Sequence, residues 1–344
     1  MIEVIVNRPS FEYDIHSLVK SFFPREDVQI HVQDTFTEDT ALRISVEFTD
    51  ETVSICLMEQ GEEKESGASV INYAERKETK NRLKRQLYQL LCAYTGQTLP
   101  WGTLTGIRPA KIAMGLIEQG MSNVETAEYM RNTYLASKEK VALSVMIANR
   151  ERYVLRNIDY KDGYSLYVGI PFCPSICLYC SFSSYPLERW RKQVDQYLDA
   201  LCKELDYVAD RFRDKKLNTV YIGGGTPTTL EPYQLDRLLT RIQSKFDTEH
   251  LQEFTVEAGR PDSITREKLQ VLLDHGIDRI SINPQTMNQK TLEIIGRRHT
   301  VDQVKEAFTL ARSMGFAHIN MDLIVGLPGE SYDDVEHTMK ELEA

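Results

Sequence analysis

The chain has 344 residues, of which 42% are hydrophobic and 27% are charged, a composition typical of a globular protein of one or two domains. No apolar run approaches the length of a membrane-spanning helix, and the start, MIEVIVNRPSFEYDIH, lacks the basic residues of a secretory signal, so we expect a cytoplasmic location. The formal net charge of −10 argues against bulk attraction to nucleic acid or to an anionic membrane.

The first part of the chain, residues 1–158, is predicted to be an α+β domain of unknown role. Strand-like segments come first and helical patterns follow. The predicted strands are 3–6, 28–32, 42–48 and 52–58, and the predicted helices are 76–95, 108–119, 123–135 and 138–156. Ser122 and Glu125 have the spacing of a capping box before the third helix. The polar stretch 157–165, NIDYKDGYS, is interpreted as a linker.

Two segments of this domain have a structural and a functional interpretation. The basic run RKETKNRLKRQ, residues 76–86, fits a solvated helix face, and a local contact with an anion or RNA is the alternative. The segment WGTLTGIRPAKIA, residues 101–113, fits a turn and helix start with a buried Trp101. Alternatively, Arg108 or Lys111 in this segment meets a carboxylate of a substrate.

From residue 159 to residue 344, strand-like segments alternate with amphipathic helices, which predicts a parallel sheet. The predicted strands are 165–172, 218–225, 253–259, 279–285 and 318–328, and the predicted helices are 189–213, 230–246, 263–275, 288–296, 301–314 and one from 332. Thr300 with Gln303, and Ser331 with Asp334, supply helix start signals. We interpret this α/β domain as a partial barrel that stops before its sixth strand, with a five-stranded open sheet as the alternative.

Three of the six cysteines fit a structural role. Cys56 lies in a strand-like segment, and Cys92 and Cys202 lie in helix-like ones. We expect all three to be small buried side chains, because free cysteine behaves in this way in protein cores.

The other three cysteines, Cys173, Cys177 and Cys180, form a C-x3-C-x2-C cluster in the loop after the first strand of the second domain. A structural zinc site normally has four ligands, and the nearest downstream histidine is the distant His250. A disulfide would leave one thiol over and does not suit a cytoplasmic protein. Three thiolates fit an open 4Fe–4S cluster, in which each binds one iron and the fourth iron stays free for another ligand.

The spacing C-x3-C-x2-C after the first strand resembles the hallmark of the radical S-adenosylmethionine (SAM) family. In that family the open iron binds the amino and carboxylate groups of SAM. An electron from the cluster then cleaves SAM to methionine and a 5′-deoxyadenosyl radical, which abstracts hydrogen from an unactivated carbon. The resemblance implies a partial (β/α)6 barrel, with a 4Fe–4S cluster and SAM as cofactors.

Five motifs in order carry a narrower resemblance. YVGIPFC, GGGTPT, FTVEAGRP, RISINPQ with IIGRRH, and NMDLIVGLPGE are similar to motifs of the oxygen-independent coproporphyrinogen III oxidase group, and they span residues 164–330. WGTLTGIRPAKIA resembles the HemZ-type (coproporphyrinogen dehydrogenase) branch of that group. The sequence departs from the decarboxylases at Gly169 and Phe182, which stand where those enzymes usually have His and Cys. The related haem-chaperone branch also lacks this Cys.

The resemblance implies that the three clustered cysteines hold the metal cluster and that residues at the strand ends bind SAM. The predicted SAM-binding residues are Tyr167, Tyr179, Gly224, Gly225, Thr226, Glu257, Gln285, Arg297 and Asp322. The tyrosines would offer aromatic surface beside the cluster and the adenine, and the glycines would let the backbone approach the ligand. Glu257 would accept hydrogen bonds from the ammonium or ribose, and Gln285 and Arg297 would bind the methionine carboxylate and ribose. Asp322 would face the ribose or adenine side.

For function, the resemblance implies oxygen-independent oxidative decarboxylation of coproporphyrinogen III to protoporphyrinogen IX. A haem-binding chaperone, a radical methyltransferase acting on haem or another tetrapyrrole, and another SAM radical reaction are the alternatives. The implied partners are a tetrapyrrole substrate or haem and a reductant protein such as flavodoxin or ferredoxin. Arg260, Arg297 and Arg298 lie near the predicted active end and are candidates to bind substrate carboxylates.

Overall fold

The computed structural model describes residues 1–32 and 42–343. The chain forms two compact units, Met1–Asn157 and Ile158–Ala344, each with its own sheet and hydrophobic core. Among the described residues, no helix combines the length and the apolar character that crossing a membrane requires.

Among its described residues, the first unit contains a mixed five-stranded sheet and five α-helices. The strands are β1 (Ile2–Val6), β2 (Val28–Val32), β3 (Leu42–Phe48), β4 (Thr52–Glu59) and β5 (Glu62–Val70), and the helices are α1 (Glu12–Phe22), α2 (Arg76–Thr95), α3 (Ala110–Glu118), α4 (Asn123–Tyr134) and α5 (Lys138–Leu155). The strand order is β2-β1-β3-β4-β5. Strand β1 is parallel to β2 and β3, whereas β4 is antiparallel to both of its neighbours.

Alternation along the strands decides which face of this sheet is buried. Val4, Ile44 and Ile55 are buried in one cluster with residues of α1 and α2, such as Leu18 and Leu83. Helices α3, α4 and α5 form a second apolar cluster of their own. The predicted capping box is present at the start of α4, where Ser122 and Glu125 bond to each other's backbone amides.

The sequence patterns missed two elements of this unit. Strand β5 is an edge strand whose residues, EEKESGASV, are mostly polar and exposed, so it lacks the apolar alternation of the other strands. Helix α1 begins after Phe11, which has a left-handed backbone and provides no side-chain cap. Strand β5 lacks the usual strand signal, and α1 lacks a capping residue, although Glu12 and Asp14 place acidic side chains in its first turn.

The second unit alternates strands and helices, as predicted. Its strands are β6 (Gly163–Ile170), β7 (Phe172–Cys173), β8 (Tyr185–Pro186), β9 (Lys216–Gly224), β10 (Glu253–Gly259), β11 (Arg279–Ile282) and β12 (His318–Asn320). Its helices are α6 (Leu187–Trp190), α7 (Val194–Arg211), α8 (Pro232–Lys245), α9 (Arg266–Asp274), α10 (Gln289–Ile294), α11 (Val301–Met314) and α12 (Tyr332–Glu343).

Five of these strands form one parallel sheet with the order β12-β11-β10-β9-β6. Each strand lies beside the next large strand in the sequence, and the order never reverses. A doubly wound sheet reverses its strand order at a switch point, whereas the strands of a (β/α) barrel follow one another around the axis. The α/β class is therefore confirmed, and the winding is that of a barrel.

The two faces of this sheet differ in chemistry. Alternate residues such as Val168, Ile222 and Val256 are buried in a core cluster together with the helices. The residues between them are polar, small or aromatic, and the Tyr167 side chain is 61% exposed. Because side chains of a strand alternate between faces, the helices pack on the apolar face and the opposite face stays open for a ligand.

Three sequence predictions differ from the structure. The stretch interpreted as a linker already contains the start of β6 at Gly163, whose amide donates to the carbonyl of Asp159. The fifth strand was predicted to be long, but β12 has only three residues. Cys56 and Cys92 are only partly buried, whereas Cys202 is buried as expected.

The core of the second unit gives the first prediction. Ile222→Ala removes a side chain that is fully buried in β9, and we expect the cavity to cost about 2–5 kcal/mol of the free energy of unfolding. Urea unfolding followed by circular dichroism measures this cost. Val325→Ala is the control, because Val325 is 75% exposed; an equal loss in both variants would contradict the assignment of the apolar face.

Candidate functional site

One cavity of about 310 Å³ brings together most of the predicted site residues of the second unit. The predicted residues that line it are Cys173, Cys177, Tyr179, Cys180, Gly224, Gly225, Thr226, Glu257, Gln285, Arg297 and Asp322. Ser175, Phe182, Arg260 and Asn283 are among the other lining residues. The cavity lies where β9 and β10 end and the connections to the following helices begin, the usual position of sites in parallel α/β folds.

The loop that carries the cysteines is fastened to the segment that follows α10. The Ser175 hydroxyl donates a hydrogen bond of 2.8 Å to the carbonyl of Gly296. The Leu178 amide donates one of 3.0 Å to the carbonyl of Ile295. These bonds join the cysteine loop to the chain immediately before Arg297, so the predicted cluster ligands and a predicted SAM-binding residue share one support.

Arg260, which follows β10, is a third attachment point for this loop. Its side chain is buried, and its guanidinium donates to the Ser175 carbonyl at 3.2 Å and to the Ser175 hydroxyl at 3.0 Å. The Nε and Nη2 atoms of the same guanidinium donate to the two carboxylate oxygens of Asp262, each at 3.2 Å. The Nη1 atom also lies 3.7 Å from the sulfur of Cys177. Since a guanidinium has five N–H donors, these contacts employ its full capacity, and Arg260 is not free to bind a substrate carboxylate.

Cys173 is a partly buried thiol that lies against Thr226 and Gly225. Burial raises the pKa of Cys173, and the Thr226 hydroxyl and the charge of Arg260 oppose this rise. Thr226 donates to the Cys173 sulfur at 3.5 Å. A Cβ atom at Gly225 would lie 3.0 Å from the same sulfur and 2.7 Å from the carbonyl oxygen of Phe172, so only glycine fits there without displacement.

The donor set suits a cluster of several irons better than a single ion. Within residues 1–32 and 42–343, no three His, Cys, Asp or Glu side chains are placed to hold one metal ion. In a 4Fe–4S cluster each thiolate binds a different iron, so the three sulfurs need not converge on a point. All three cysteines are free and partly exposed, and all three line the cavity.

Glu257 is the acidic group on the cavity wall from β10. The Tyr221 hydroxyl donates to its Oε1 atom at 2.5 Å. Burial raises the pKa of Glu257, and the Tyr221 hydrogen bond and the amide of Gly224 oppose the rise. A Cβ atom at Gly223 would lie 3.1 Å from the Glu257 carboxyl, so the glycines of β9 leave the space that this side chain occupies.

Arg297 and Gln285 line the same cavity as the cysteines. Arg297 is buried, bonds the carbonyl of Asn283, and donates to the Tyr179 hydroxyl at 3.2 Å. Its buried Nε atom has no hydrogen-bond partner among the residues that the structure describes. Gln285 has a positive φ of 68°, an uncommon backbone conformation that its bonds to Asp322 and Ile324 maintain. An orphaned donor beside a strained, buried amide is the local chemistry expected where a ligand carboxylate binds.

The two predicted tyrosines occupy different places. Tyr179 lines the cavity, and burial raises its pKa to about 12. Tyr167 does not line the cavity; its ring stacks on Tyr221, with centroids 6.0 Å apart. Tyr167 is exposed beside the Tyr221 ring, whose hydroxyl donates to Glu257, and its contact with SAM stays a prediction. Tyr221 was not singled out from the sequence. Its position between the buried Val220 and Ile222 was the signal that places its side chain on the open face of the sheet.

His299 is a buried residue near the site that the sequence did not single out. Its side chain has no exposed surface, and neither ring nitrogen has a hydrogen-bond partner in the described part of the chain. Burial, with the charges of Arg297 and Arg260, lowers its pKa to about 4, although Asp262 opposes the shift. The imidazole is therefore neutral at physiological pH.

The sequence-family model of the radical SAM superfamily matches residues 167–342, which is half of this chain. The chain belongs to the radical SAM superfamily, and its cofactors are accordingly a 4Fe–4S cluster and SAM. The residues around the cavity fit both groups: three thiols for the cluster, and buried polar groups with an unpaired Arg297 donor for SAM. The individual roles of these residues stay predictions.

Similar proteins share tetrapyrrole or haem names. The oxygen-independent coproporphyrinogen-III oxidase-like protein HemZ of Bacillus subtilis is 41% identical over 271 residues, covering 78% of this chain and 54% of that protein. The heme chaperone HemW of Lactococcus lactis is 42% identical over 172 residues, which cover 50% of this chain and 44% of the length of HemW. The structure of coproporphyrinogen III oxidase from Escherichia coli matches with a TM-score of 0.49 and 30% identity, over 56% of this chain and 44% of that one. The chain spans about half the length of these relatives.

Arg260 gives a prediction about metal loading. Arg260→Gln should lower the iron content per chain at least two-fold after anaerobic reconstitution, because the cysteine loop loses the support at Ser175. Cys177→Ala should lower it further, and the exposed Arg266→Gln should leave it unchanged. Iron is assayed on variants whose circular dichroism matches the wild type. Full iron in Arg260→Gln would show that the loop is held without this residue.

His299 gives a prediction about pH. Because the folded state keeps this imidazole neutral down to about pH 4 while an unfolded histidine binds a proton below about 6.5, its contribution to stability is complete above pH 6.5. It is lost as the pH falls towards 4, an effect of up to about 3 kcal/mol. His299→Leu should flatten this part of the curve of urea midpoint against pH, whereas the exposed His250→Leu should not. A wild-type slope in His299→Leu would refute the assignment.

Proposed function

We propose that this chain carries the radical site of an enzyme that decarboxylates coproporphyrinogen III without oxygen. The observation that carries the proposal is the cavity in which three cysteines meet the polar strand ends of an open sheet face. The similarity to HemZ supports the substrate, since its 271 aligned residues exceed the second unit and so extend into the first. The HemW match covers only half of the chain.

The chain's own residues divide the work of the site. Cys173, Cys177 and Cys180 would hold the cluster, and the Arg297 side chain, which lines the cavity, would bind the SAM carboxylate. Glu257 is kept in place by the Tyr221 hydroxyl and accepts from the SAM ammonium or ribose. When bound, the two cofactors supply abstraction of a hydrogen atom from an unactivated carbon.

The surroundings of the cavity suit a tetrapyrrole that is both apolar and anionic. The cysteine loop exposes three large apolar side chains, Ile176, Leu178 and Phe182, and Phe182 lines the cavity. An apolar rim of this kind can cover a tetrapyrrole ring. Arg260 is fully engaged, so the exposed Arg298, which lines a groove beside Ser175 and Ile176, is the cation that we assign to a substrate propionate.

The proposed reaction requires partners that the chain does not provide. Each of two propionate side chains loses a β-hydrogen, carbon dioxide and one further electron, which leaves a vinyl group. The site therefore needs a reductant protein, such as flavodoxin or ferredoxin, to supply an electron for each SAM cleavage. It also needs an electron acceptor for the electron that leaves the substrate.

Haem binding without turnover is the second candidate, and Phe182 favours it. This exposed aromatic residue stands where the decarboxylases usually have a cysteine, and a heme chaperone is among the similar proteins. An aromatic face at this position would pack on a haem ring, whereas it cannot ligate metal or donate a proton.

Anaerobic assay separates the two candidates. The reconstituted protein is incubated with SAM, a reductant, an electron acceptor and coproporphyrinogen III, and the tetrapyrroles are analysed by mass. We expect loss of two carboxyl groups, and a KM about 10-fold higher in Arg298→Gln, ~1.4 kcal/mol of binding. Arg213→Gln is the control, since its side chain is 74% exposed and pairs with Asp210.

Other outcomes of this assay have definite meanings. Stoichiometric haem binding without a decarboxylated product would replace the enzyme proposal by the chaperone. A product that gains a methyl group would replace it by a methyltransferase. An unchanged KM in Arg298→Gln, with activity present, would remove Arg298 from the substrate site but keep the reaction.

A further inference from the structure

The first unit contains a second cavity, of about 310 Å³, that no part of the proposed reaction uses. Helix α2 forms one wall, and the turn of residues 103–106 forms another. Its volume is at the lower end of the range for small-molecule sites. Both segments were singled out in the sequence as a basic run and as the WGTLTGIRP motif, and the structure places them around one space.

Three lysines of α2 line this cavity at increasing depth. Lys77, Lys80 and Lys84 are three and four residues apart, so they share one face of the helix. Lys77 is exposed, Lys80 is half-buried, and the Lys84 side chain is only 9% exposed. The lysines thus form a column of positive charge that runs from the mouth of the cavity to its floor.

The positive charge in the cavity exceeds the negative charge. Asp14 is the acidic residue among those that line it, and its carboxylate lies 3.8 Å from the Lys80 ammonium and 3.9 Å from that of Lys84. Lys77 makes no ion pair with any residue that the structure describes. Three lysines against one aspartate leave a charge of +2, which a phosphate monoester dianion would balance and a single carboxylate would not.

Lys84 has hydrogen-bonding capacity left for a ligand. Its ammonium donates to the Thr105 hydroxyl at 3.0 Å, and this is its one hydrogen bond within the described residues. An ammonium has three donors, and a buried donor without a partner is costly. Burial lowers the pKa of Lys84; the charge of Asp14 opposes this shift and the charge of Lys80 adds to it. A bound anion would supply acceptors and relieve the repulsion between the lysines.

The turn opposite the lysines is built to hold a fixed shape. Gly102 has a φ of 57°, and a Cβ atom there would lie 2.1 Å from the carbonyl oxygen of Tyr134, so another residue would displace the turn. The amide of Thr103 donates to the same carbonyl at 2.8 Å. Thr105, which accepts from Lys84, is thereby held at the cavity wall.

We propose that this cavity of the first unit binds a small phosphorylated molecule through Lys77, Lys80 and Lys84, with Thr105 positioning the deepest ammonium. Point-charge lysines with hydroxyl groups are a common donor set for phosphate. Asp14 limits the net charge, so the site selects a dianion and holds it reversibly. The site is independent of the radical chemistry of the second unit.

Isothermal titration calorimetry of the full chain at low ionic strength tests the proposal with inorganic phosphate and with AMP as probes. We expect saturable binding of at least one probe, weaker by at least ten-fold in Lys84→Met and weaker at high salt. Lys64→Met is the matched control, because Lys64 lies in β5 and pairs with Glu62 outside the cavity; its affinity should equal that of the wild type.

A second variant protects the test from a folding defect. Asp14→Asn raises the cavity charge to +3, so phosphate should bind at least three-fold more tightly, a gain that a misfolded protein cannot show. Tighter binding of AMP than of phosphate would assign a nucleotide, and the reverse would assign phosphate itself. Two results would overturn the proposal: no saturable binding of either probe, or equal affinity in Lys84→Met.

Discussion

The alternation of apolar and non-apolar residues along the five parallel strands is the constraint on which the second unit depends. Val168, Ile222 and Val256 bury one face against the helices. Tyr221 and Glu257 lie next to these apolar residues in the strands, so their side chains point to the opposite face, away from the helices of this core. A strand that was apolar on both faces would have closed the space around the cavity. The open face is thus a direct consequence of the period of the strand.

The strand and helix patterns predicted this unit well because each element carries its own signal. Strand β10 and helix α11 have the predicted bounds, and Thr300 with Gln303 forms the expected capping box. Strand β12 was overestimated because apolar residues such as Ile324 continue beyond it, although they serve the cavity wall and the loop. In the first unit, polar β5 forms an edge strand through backbone pairing alone, which side-chain patterns do not reveal.

The sequence could place the candidate site but not its internal contacts. Residues at the ends of successive strands were expected to converge, and most of them line one cavity. Arg260 could not be distinguished from a substrate-binding residue, since the pairing with Asp262 and Ser175 depends on loop geometry. The stacking of the Tyr167 ring on Tyr221 could not be read from the sequence either, because it depends on the pairing of β6 with β9.

The attachments of the cysteine loop connect two binding events that the sequence presents as separate motifs. Ser175 bonds both Arg260 and the Gly296 carbonyl, and Gly296 immediately precedes Arg297. Tyr179, between two of the cysteines, bonds Arg297 directly. A shift of the cysteine loop would therefore move the guanidinium assigned to the SAM carboxylate. Because the two supports are shared, ordering the loop around a cluster would also preorganise Arg297, so cluster loading and SAM affinity are expected to be coupled through these few hydrogen bonds.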